Sequence, residues 1–381
     1  MRTQGYGDIW PQVAEIVGDV RARGDAALLE WTERLDGVRL DSPRVSEAEL
    51  AAGQLGAEAL DALLRLATAV ELFHAPQRPP DVRVSPYPGI ETERRFVPLD
   101  SVGIYAPGGL AAYPSTLAMT VVPAHVAGVK RVAVATPRPS PGMLAAAREL
   151  GVDEVYAIGG AQAVGALAFG TETVAPVDKI VGPGNRWVTA AKLLVSAHVG
   201  IDLPAGPTEV VIVADETADP RLAAADLAAQ LEHGPDGAAL LITTSGEVAA
   251  AVASLCPEAE VRVVASLEDA IDAANEFAPE HLQLHVADPE GLAERVTSAG
   301  AVFLGEQTSS VLGDYAVGTN HVLPTGGLAR SSGGLGLESF LKPLQLIRAT
   351  PEGVATAAEI VGPLARVEGL PLHAAAVEAR L

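Results

Sequence analysis

The chain has little cysteine, few basic residues and no long apolar run. Its one cysteine, Cys256, rules out a disulfide within the chain and suits a reducing compartment such as the cytoplasm. It also rules out a cysteine-rich zinc site, so any metal must take histidine, carboxylate or amide ligands. No apolar stretch reaches the roughly 18 residues of a membrane span, and the start shows no signal-peptide pattern. We therefore expect a cytoplasmic protein without a membrane partner.

Basic residues are outnumbered by acidic ones, 26 against 48, which gives a net charge of −22. Binding to nucleic-acid phosphates needs clustered lysine and arginine, so nucleic acid is excluded as a main partner. The length of 381 residues, with 49% hydrophobic and 19% charged residues, fits a globular protein of two or three domains.

The N-terminal part is predicted to be helical. Ser46 and Glu49 resemble a capping box before the third of three helices. The apolar residues at helical spacing are Val13, Ile16, Val17 and Val20 in the first helix, Leu28, Trp31 and Leu35 in the second, and Leu60, Leu63, Leu64 and Val70 in the third.

From about residue 101, short β runs alternate with Ala-rich helical stretches. The predicted strands are Val102–Tyr105, Arg131–Ala135, Glu154–Ile158 and Lys179–Val181, followed by Glu209–Val213, Ala239–Thr243, Val261–Val264, His281–Val286 and Ala301–Leu304. This alternation predicts parallel sheets. The predicted fold class is α/β, with two Rossmann-like open-sheet domains, a helical N-terminal segment and a small helical C-terminal tail from about Leu335.

Two Gly-rich turns follow predicted strands, where open α/β sheets bind ligands. They are Gly159-Gly160-Ala161-Gln162 and Gly182-Pro183-Gly184-Asn185, and each opens a helix. Glycines allow a ligand close to the backbone, and a helix N-terminus favours phosphate. Neither turn is a GxGxxG fingerprint, so the pattern alone favours ordinary tight turns.

Two further motifs combine histidine with an oxygen-bearing side chain. Gln230 and His233 are three residues apart near a helix end, on one face, where both could bind a metal; alone, they favour an ordinary helix end. Glu280 and His281 could act as two general bases, but in a regular strand they point to opposite sides. They could share a site only if the chain bends at Pro279, and alone the pattern favours a solvated strand edge.

The segment Gly313–Thr325 contains Asp314, Asn320 and His321 and is too polar and Gly-rich for a core element. Such loops often carry function. His373, in the predicted last helix, is by itself typical of a surface residue.

Taken together, these segments resemble histidinol dehydrogenase from about Val13 to Val377. The matching blocks are GIYAPGG (Gly103–Gly109), GGAQA (Gly159–Ala163), VDKIVGPGN (Val177–Asn185), DLPAGPTEV (Asp202–Val210), QLEHGPD (Gln230–Asp236), APEHLQL (Ala278–Leu284) and GDYAVGTNHVLPT (Gly313–Thr325). The resemblance implies oxidation of L-histidinol via L-histidinal to L-histidine with two NAD⁺, at the end of histidine biosynthesis. It also implies one Zn²⁺ per subunit and a homodimer with shared active sites.

The resemblance assigns site residues by position. It implies zinc ligands at Gln230, His233, Asp314 and His373, a catalytic pair at Glu280 and His281, and His321 beside the substrate. The positions matching NAD contacts are Tyr105, Gln162 and Asn185, and those matching substrate contacts are Thr208 and Glu368, together with His321 and the four zinc ligands. Glu368 and His373 are expected to reach the partner subunit's site.

The resemblance also suggests a division into domains. Residues 1–102 with 209–335 form one α/β domain with the catalytic and metal residues, residues 103–208 form a second on the NAD side, and residues 336–381 form the tail. In the implied mechanism Glu280 activates a water for aldehyde hydration, since Cys256 lacks the surroundings of a reactive thiolate. His281 accepts the hydroxyl proton, and the metal mainly positions the substrate.

Three alternatives remain open from the sequence. The first is a related zinc- and NAD-dependent dehydrogenase for another amino alcohol or diol, distinguished by residues 208 and 368. The second is a catalytically silent zinc-binding or assembly protein, against which Glu280, His281 and His321 argue. A zinc hydrolase is the third, and the lack of a His-rich ligand set argues against it.

Overall fold

The structure is a computed structural model that describes residues 6–108 and 113–381. Gly109, the last residue of the GIYAPGG block, lies outside the described residues. The helices are α1 (Trp10–Arg23), α2 (Asp25–Asp36), α3 (Glu47–Ala51), α4 (Ala57–His74), α5 (Pro114–Ala127), α6 (Pro141–Glu149), α7 (Gly160–Phe169), α8 (Arg186–Val195), α9 (Pro220–Leu231), α10 (Gly246–Leu255), α11 (Leu267–Phe277), α12 (Pro289–Ala293), α13 (Ser310–Tyr315), α14 (Pro351–Val367) and α15 (Pro371–Glu378).

The strands form three separate sheets. They are β1 (Val82–Tyr87), β2 (Ile90–Pro98), β3 (Ser101–Tyr105), β4 (Arg131–Ala135), β5 (Glu154–Tyr156), β6 (Lys179–Val181), β7 (Gly200–Ile201), β8 (Glu209–Ala214), β9 (Ala238–Thr243), β10 (Glu260–Val263), β11 (His281–His285), β12 (Ala301–Leu304) and β13 (Leu341–Ala349). The chain divides into two compact units, Met1–Gln77 with Leu99–Phe340, and Arg78–Pro98 with Leu341–Leu381.

The first unit contains two parallel sheets of the same topology. One has the order β5-β4-β3-β6-β7 and the other the order β10-β9-β8-β11-β12. Within each sheet the strands, counted in chain order, follow the Rossmann-type sequence 3-2-1-4-5. The predicted fold class is thus confirmed, and the repeated topology agrees with the two similar domains that the sequence suggests.

Each sheet is covered on both faces, as parallel sheets require. Side chains of β8 alternate between two cores, with Val210 and Ile212 packed toward α9 and α10, and Val211 and Val213 packed toward α11. The sequence groups residues 1–102 with 209–335, whereas the buried side chains of α1 and α2 belong to the core of the sheet of residues 101–201. The three-domain division as a whole stays a prediction.

The second unit differs from the helical tail that the sequence suggests. Its antiparallel sheet has the order β1-β2-β13, and α14 and α15 follow β13. The tail therefore begins with a short 3-10 helix, Leu337–Phe340, continues with the nine-residue strand β13 and becomes α-helical only from Pro351. Pro343 obscures this strand in the sequence, because proline disfavours a central strand, and β13 pairs only with β2 among the described strands.

The N-terminal helices are confirmed, with one correction to the third. Ser46 and Glu49 do form a capping box, but the helix it starts ends at Ala51. The apolar stripe lies on the separate helix α4, where Leu63 and Val70 are buried and Leu64 is exposed. Helix α13 (Ser310–Tyr315) ends within the segment Gly313–Thr325, which the sequence assigns to a loop.

None of the helices that the described residues form combines the length and the apolar character that crossing a bilayer requires.

Candidate active site

Glu280 lies at the amino end of β11, which is a central strand and not the solvated edge that its pattern favours. β11 pairs with β8 on one side and β12 on the other. Ala278 has a left-handed φ of 55° just before the strand, which supplies the bend expected near Pro279. The Glu280 carboxylate accepts hydrogen bonds from the Thr208 hydroxyl at 2.5 Å and the Glu209 N–H at 3.0 Å.

Burial dominates the electrostatics of Glu280. Only 7% of the residue is exposed, and this desolvation raises the pKa of its carboxyl to about 7, although the bonds from Thr208 and Glu209 lower it. The imidazole Nδ1 of His281 lies 3.7 Å from the Glu280 carboxylate, so the two predicted bases do share one site. A carboxyl with a pKa near neutrality is suited to general base catalysis.

His281 connects this carboxylate to Asp314 on α13. Its Nε2 lies 3.8 Å from the Asp314 carboxylate, and its buried Nδ1 has no hydrogen-bond partner among the described residues. Burial lowers the pKa of His281, and Asp314 partly opposes this effect. The ring is therefore a neutral imidazole at pH 7 and can accept a proton.

Asp314 and His321 both belong to the polar segment Gly313–Thr325 and lie close together. Burial raises the pKa of Asp314 to about 6 and lowers the pKa of His321 to about 4. The His321 ring lies 3.3 Å from the Asp314 carbonyl through Nδ1 and 3.4 Å from the Thr116 hydroxyl through Nε2. A neutral His321 with Nδ1–H toward the carbonyl leaves Nε2 as an acceptor; the opposite tautomer would donate from Nε2.

Gln230 and His233 mark the end of α9. Gln230 is buried, its Oε1 lies 3.5 Å from the Thr208 hydroxyl, and its Nε2 has no partner among the described residues. His233 is exposed and lies two residues past the helix end, so the pair does not occupy one helical face as the spacing suggests. His233 is close enough for its charge to contribute, after burial and other effects, to lowering the pKa of His281 and His321.

The last zinc ligand and the substrate contact predicted for the tail lie in the second unit. Glu368 ends α14 and His373 lies on α15, and both side chains are exposed. Among residues 6–108 and 113–381, no three His, Cys, Asp or Glu side chains of one chain are grouped to hold a metal.

A second group of predicted site residues lies at the carboxyl end of the first sheet. Tyr105 ends β3, and its hydroxyl accepts from the Gly160 N–H at 3.2 Å, while burial raises its pKa to about 12. Gln162 on α7 is fully buried and donates to Asp36 at 3.1 Å, and its Oε1 has no partner in the described part of the chain. Asn185 is exposed and caps α8 by accepting from the N–H groups of residues 187 and 188.

Sequence reasoning missed Glu209 and Thr116. The Glu209 carboxylate accepts from the Gly326 N–H, and burial, with the nearby Glu280 charge, raises its pKa to about 7. A charged residue directly before the apolar run Val210–Ala214 was the available signal for Glu209. Thr116 lies inside an apolar helix, and only its contact with His321 identifies it.

The comparisons with known proteins agree with this geometry. A family model described as histidinol dehydrogenase matches residues 2–381. A histidinol dehydrogenase of Rhodopseudomonas palustris is 46% identical over all of this chain and 94% of its own length, and one of Geobacillus kaustophilus is 45% identical over 97% of this chain and 93% of its own. A crystal structure of histidinol dehydrogenase from Elizabethkingia anophelis superposes with a TM-score of 0.91 at 36% identity, covering 100% of this chain and 93% of that chain.

Paired Rossmann-type sheets with a buried base at one end suit an NAD-dependent oxidoreductase, which is the class of the family that the chain matches. The chain belongs to the histidinol dehydrogenase family. The predicted function in histidine biosynthesis is thereby confirmed, and the alternative of a dehydrogenase for another amino alcohol or diol is not favoured.

The raised pKa of Glu280 predicts a pH-dependent stability. Because the folded-state pKa of about 7 lies above the ordinary 4.5, protonation of Glu280 stabilises the fold below pH 4.5, and this contribution is lost as the pH rises through 7. Because glutamine does not titrate, we expect Glu280→Gln to abolish this loss of stability at rising pH. In chelator-treated protein, the free energy of unfolding of the variant relative to wild type should rise by up to about 3 kcal/mol from pH 5 to pH 8.

Urea unfolding at several pH values measures this difference. The control is Glu294→Gln on α12, which removes the same charge from an exposed position. If both variants show the same pH dependence, net charge and not the burial of Glu280 is responsible.

Proposed function

We propose that Glu280 and His281 are the bases of the two oxidation steps that convert L-histidinol to L-histidinal and then to L-histidine. The observation that carries the proposal is the buried carboxylate of Glu280, held by Thr208 and Glu209, with the His281 imidazole 3.7 Å away. Two bases with different environments in one site suit a reaction that removes protons from an alcohol and from a water.

In the first step, His281 accepts the proton of the substrate hydroxyl. Its lowered pKa keeps the ring neutral and therefore ready to accept. His321, in the neutral tautomer that carries its proton on Nε2, donates to the substrate oxygen and stabilises the negative charge that develops there. NAD⁺, when bound, takes up the hydride from the substrate carbon in each of the two oxidations.

In the second half, Glu280 accepts a proton from a water that adds to the aldehyde carbon. In this addition the protonated His281 returns its proton to the aldehyde oxygen, which gives the hydrate and leaves the ring neutral. His281 then accepts a hydroxyl proton of the hydrate as the second hydride leaves. Cys256 takes no part, because it is buried in the core beneath α9 and α10. A thioester route through a cysteine thiolate is therefore not available to this thiol, and hydration replaces it.

The donor set fits a zinc ion. We propose Gln230, His233 and Asp314 of one subunit and His373 of the partner subunit as ligands. Gln230 is buried with its Oε1, the atom through which an amide binds a metal, 3.5 Å from the Thr208 hydroxyl, and Asp314 is a half-buried carboxyl whose raised pKa a nearby cation would lower. Nitrogen and oxygen donors of this kind suit zinc. When bound, the metal positions the imidazole and amino nitrogens of the substrate.

We propose that NAD binds at the carboxyl ends of β3 and β6, against Tyr105, Gln162 and Asn185. These residues surround the point where the strand order reverses, which is where Rossmann-type sheets bind dinucleotides. The unpartnered Oε1 of Gln162 is a buried acceptor that a ligand donor could satisfy.

We also propose a cytoplasmic homodimer whose second unit contributes to the partner's site. The sheet β1-β2-β13 exposes Val82, Val84 and Ile347, and α15 exposes Leu372. Monomeric proteins seldom leave such apolar surface uncovered, so a second copy of the chain is its proposed partner. Glu368 would then contact the substrate, alongside Thr208 of the other subunit.

The activity itself predicts a stoichiometry. Complete turnover should yield two NADH per L-histidinol consumed, since both oxidations transfer a hydride. Absorbance of NADH together with quantified histidine measures the ratio. A ratio of one would contradict the second oxidation, and full activity after chelation of the metal would contradict the zinc site.

Glu280→Gln should separate the two halves of the reaction. Gln keeps the shape of the side chain but cannot accept a proton, so the oxidation of histidinal should slow by at least 10²-fold, as expected for loss of a general base. The oxidation of histidinol to histidinal should slow far less. Single-turnover measurements of each half give the comparison, and equal losses would refute the assignment of Glu280.

Mixed dimers test whether His373 serves the partner's site. His373→Ala should lose zinc and activity, and Glu280→Gln should lose overall turnover. If each site takes Glu280 from one subunit and His373 from the other, a dimer of the two variants has one site with both residues intact and one site with neither. Random reassociation of the two variants should therefore restore about a quarter of wild-type activity. If His373 acted within its own subunit, mixing would restore none.

A further inference from the structure

Lys192 and Asp202 form a buried ion pair in the first unit, outside the residues described above. Each side chain is only 2% exposed. Lys192 lies on the last turn of α8, and Asp202 directly follows β7. Burying a charge costs free energy, so buried charges occur where a partner of opposite charge and further hydrogen bonds compensate that cost. Both side chains of this pair make such further bonds.

The pair holds both backbone groups of Gly182, the residue that ends β6. Asp202 accepts from the Gly182 N–H at 2.6 Å, and Lys192 donates to the Gly182 carbonyl at 3.0 Å. Gly182 has a φ of 108°, and a Cβ there would overlap the carbonyl oxygen of Tyr105. The turn thus lies directly against the end of β3 in a conformation that favours glycine.

The same lysine holds the segment that leads to Thr208. Lys192 also donates to the Leu203 carbonyl at 3.0 Å, and Thr189, one turn earlier on α8, donates to the Ala205 carbonyl at 2.7 Å. Helix α8 therefore fixes two adjoining segments at once. One is the Gly182–Asn185 turn and the other is the 202–208 segment, whose last residue contacts Glu280.

We propose that Lys192 and Asp202 are positioning residues that fix the Gly182–Asn185 turn for NAD. This inference rests on the proposed NAD site at the ends of β3 and β6. Lys192 on α8 and Asp202 after β7 bind each other and also the two backbone groups of Gly182. The backbone conformation of the turn is therefore fixed before the cofactor binds. A turn held in advance binds more tightly because its ordering cost is not deducted from the binding free energy.

The test replaces both charges together, because removing one partner leaves an unpaired buried charge that can unfold the protein. Lys192→Met with Asp202→Asn keeps an acceptor for the Gly182 N–H but loses both bonds from the lysine. We expect the dissociation constant for NADH, measured by fluorescence titration, to rise at least tenfold. The dissociation constant for histidinol should change far less, because the Thr189 bond to the Ala205 carbonyl still holds the segment that leads to Thr208, and the zinc content should stay within twofold of wild type.

A matched control lies at the opposite end of the same sheet. Arg131 and Glu154 form an ion pair at the amino ends of β4 and β5, and Arg131 likewise donates to two backbone carbonyls, those of Ala175 and Pro176. Arg131→Met with Glu154→Gln should leave NADH affinity within twofold of wild type. An equal loss in both double variants, or unchanged NADH affinity in the first, would overturn the positioning role.

A substitute variant and the wild-type protein distinguish failure of the ion pair's role from failure of folding and from failure of the cofactor site. If the first double variant does not fold, Lys192→Arg takes its place, since it keeps the charge for Asp202 but cannot set one nitrogen against both carbonyls. We then expect at least a threefold rise in the NADH dissociation constant, and an unchanged value would overturn the inference. If wild type itself does not bind NADH, the proposed cofactor site fails, a result distinct from failure of the ion pair's role.

Discussion

The parallel pairing of β8 with β11 is the constraint on which the site depends. Because His281 pairs with Val210, the residues just before each strand lie side by side, and Thr208 and Glu209 reach the Glu280 carboxylate. The neighbouring strand β12 pairs with β11 on its other side, and its Ala301 N–H donates to the Glu280 carbonyl. A shift of register by one residue would turn these side chains to the other face of the sheet. The strand register that the hydrophobic core enforces therefore also determines where the catalytic side chains lie.

Sequence patterns predicted the sheets well, because buried parallel strands are short apolar runs whose type is plain even without tertiary information. The β1–β2 hairpin and β13 were missed, since Pro343 and exposed polar residues blur the alternation there. The site was predictable only in part. Motif order identified Glu280 and His281, but their shared environment depends on the Ala278 bend and on a partner strand distant in sequence.

Several acids share the site, and burial raises the pKa of each: Glu280, Glu209 and Asp314. Burying carboxyls near one another is unfavourable for the fold, because each disfavours the ionisation of the next. A site tuned only for stability would replace them with apolar side chains. Their retention makes sense where a base near neutral pH and a cation-binding carboxylate are both needed, which is the condition that the proposed chemistry sets.

In the proposed function the first sheet is used at its carboxyl ends and the second at its amino ends, and the connection between the sheets explains how both ends serve one site. The chain leaves β7 at Ile201, at the carboxyl end of the first sheet, and enters β8 at Glu209, at the amino end of the second. The seven intervening residues can span at most about 25 Å even when fully extended. The cofactor end of one sheet and the base of the other must therefore lie within reach of a short linker. With the proposed NAD site, the first sheet follows the rule that ligands bind beyond carboxyl ends, and the linker brings the amino end of the second sheet within reach of the same ligands.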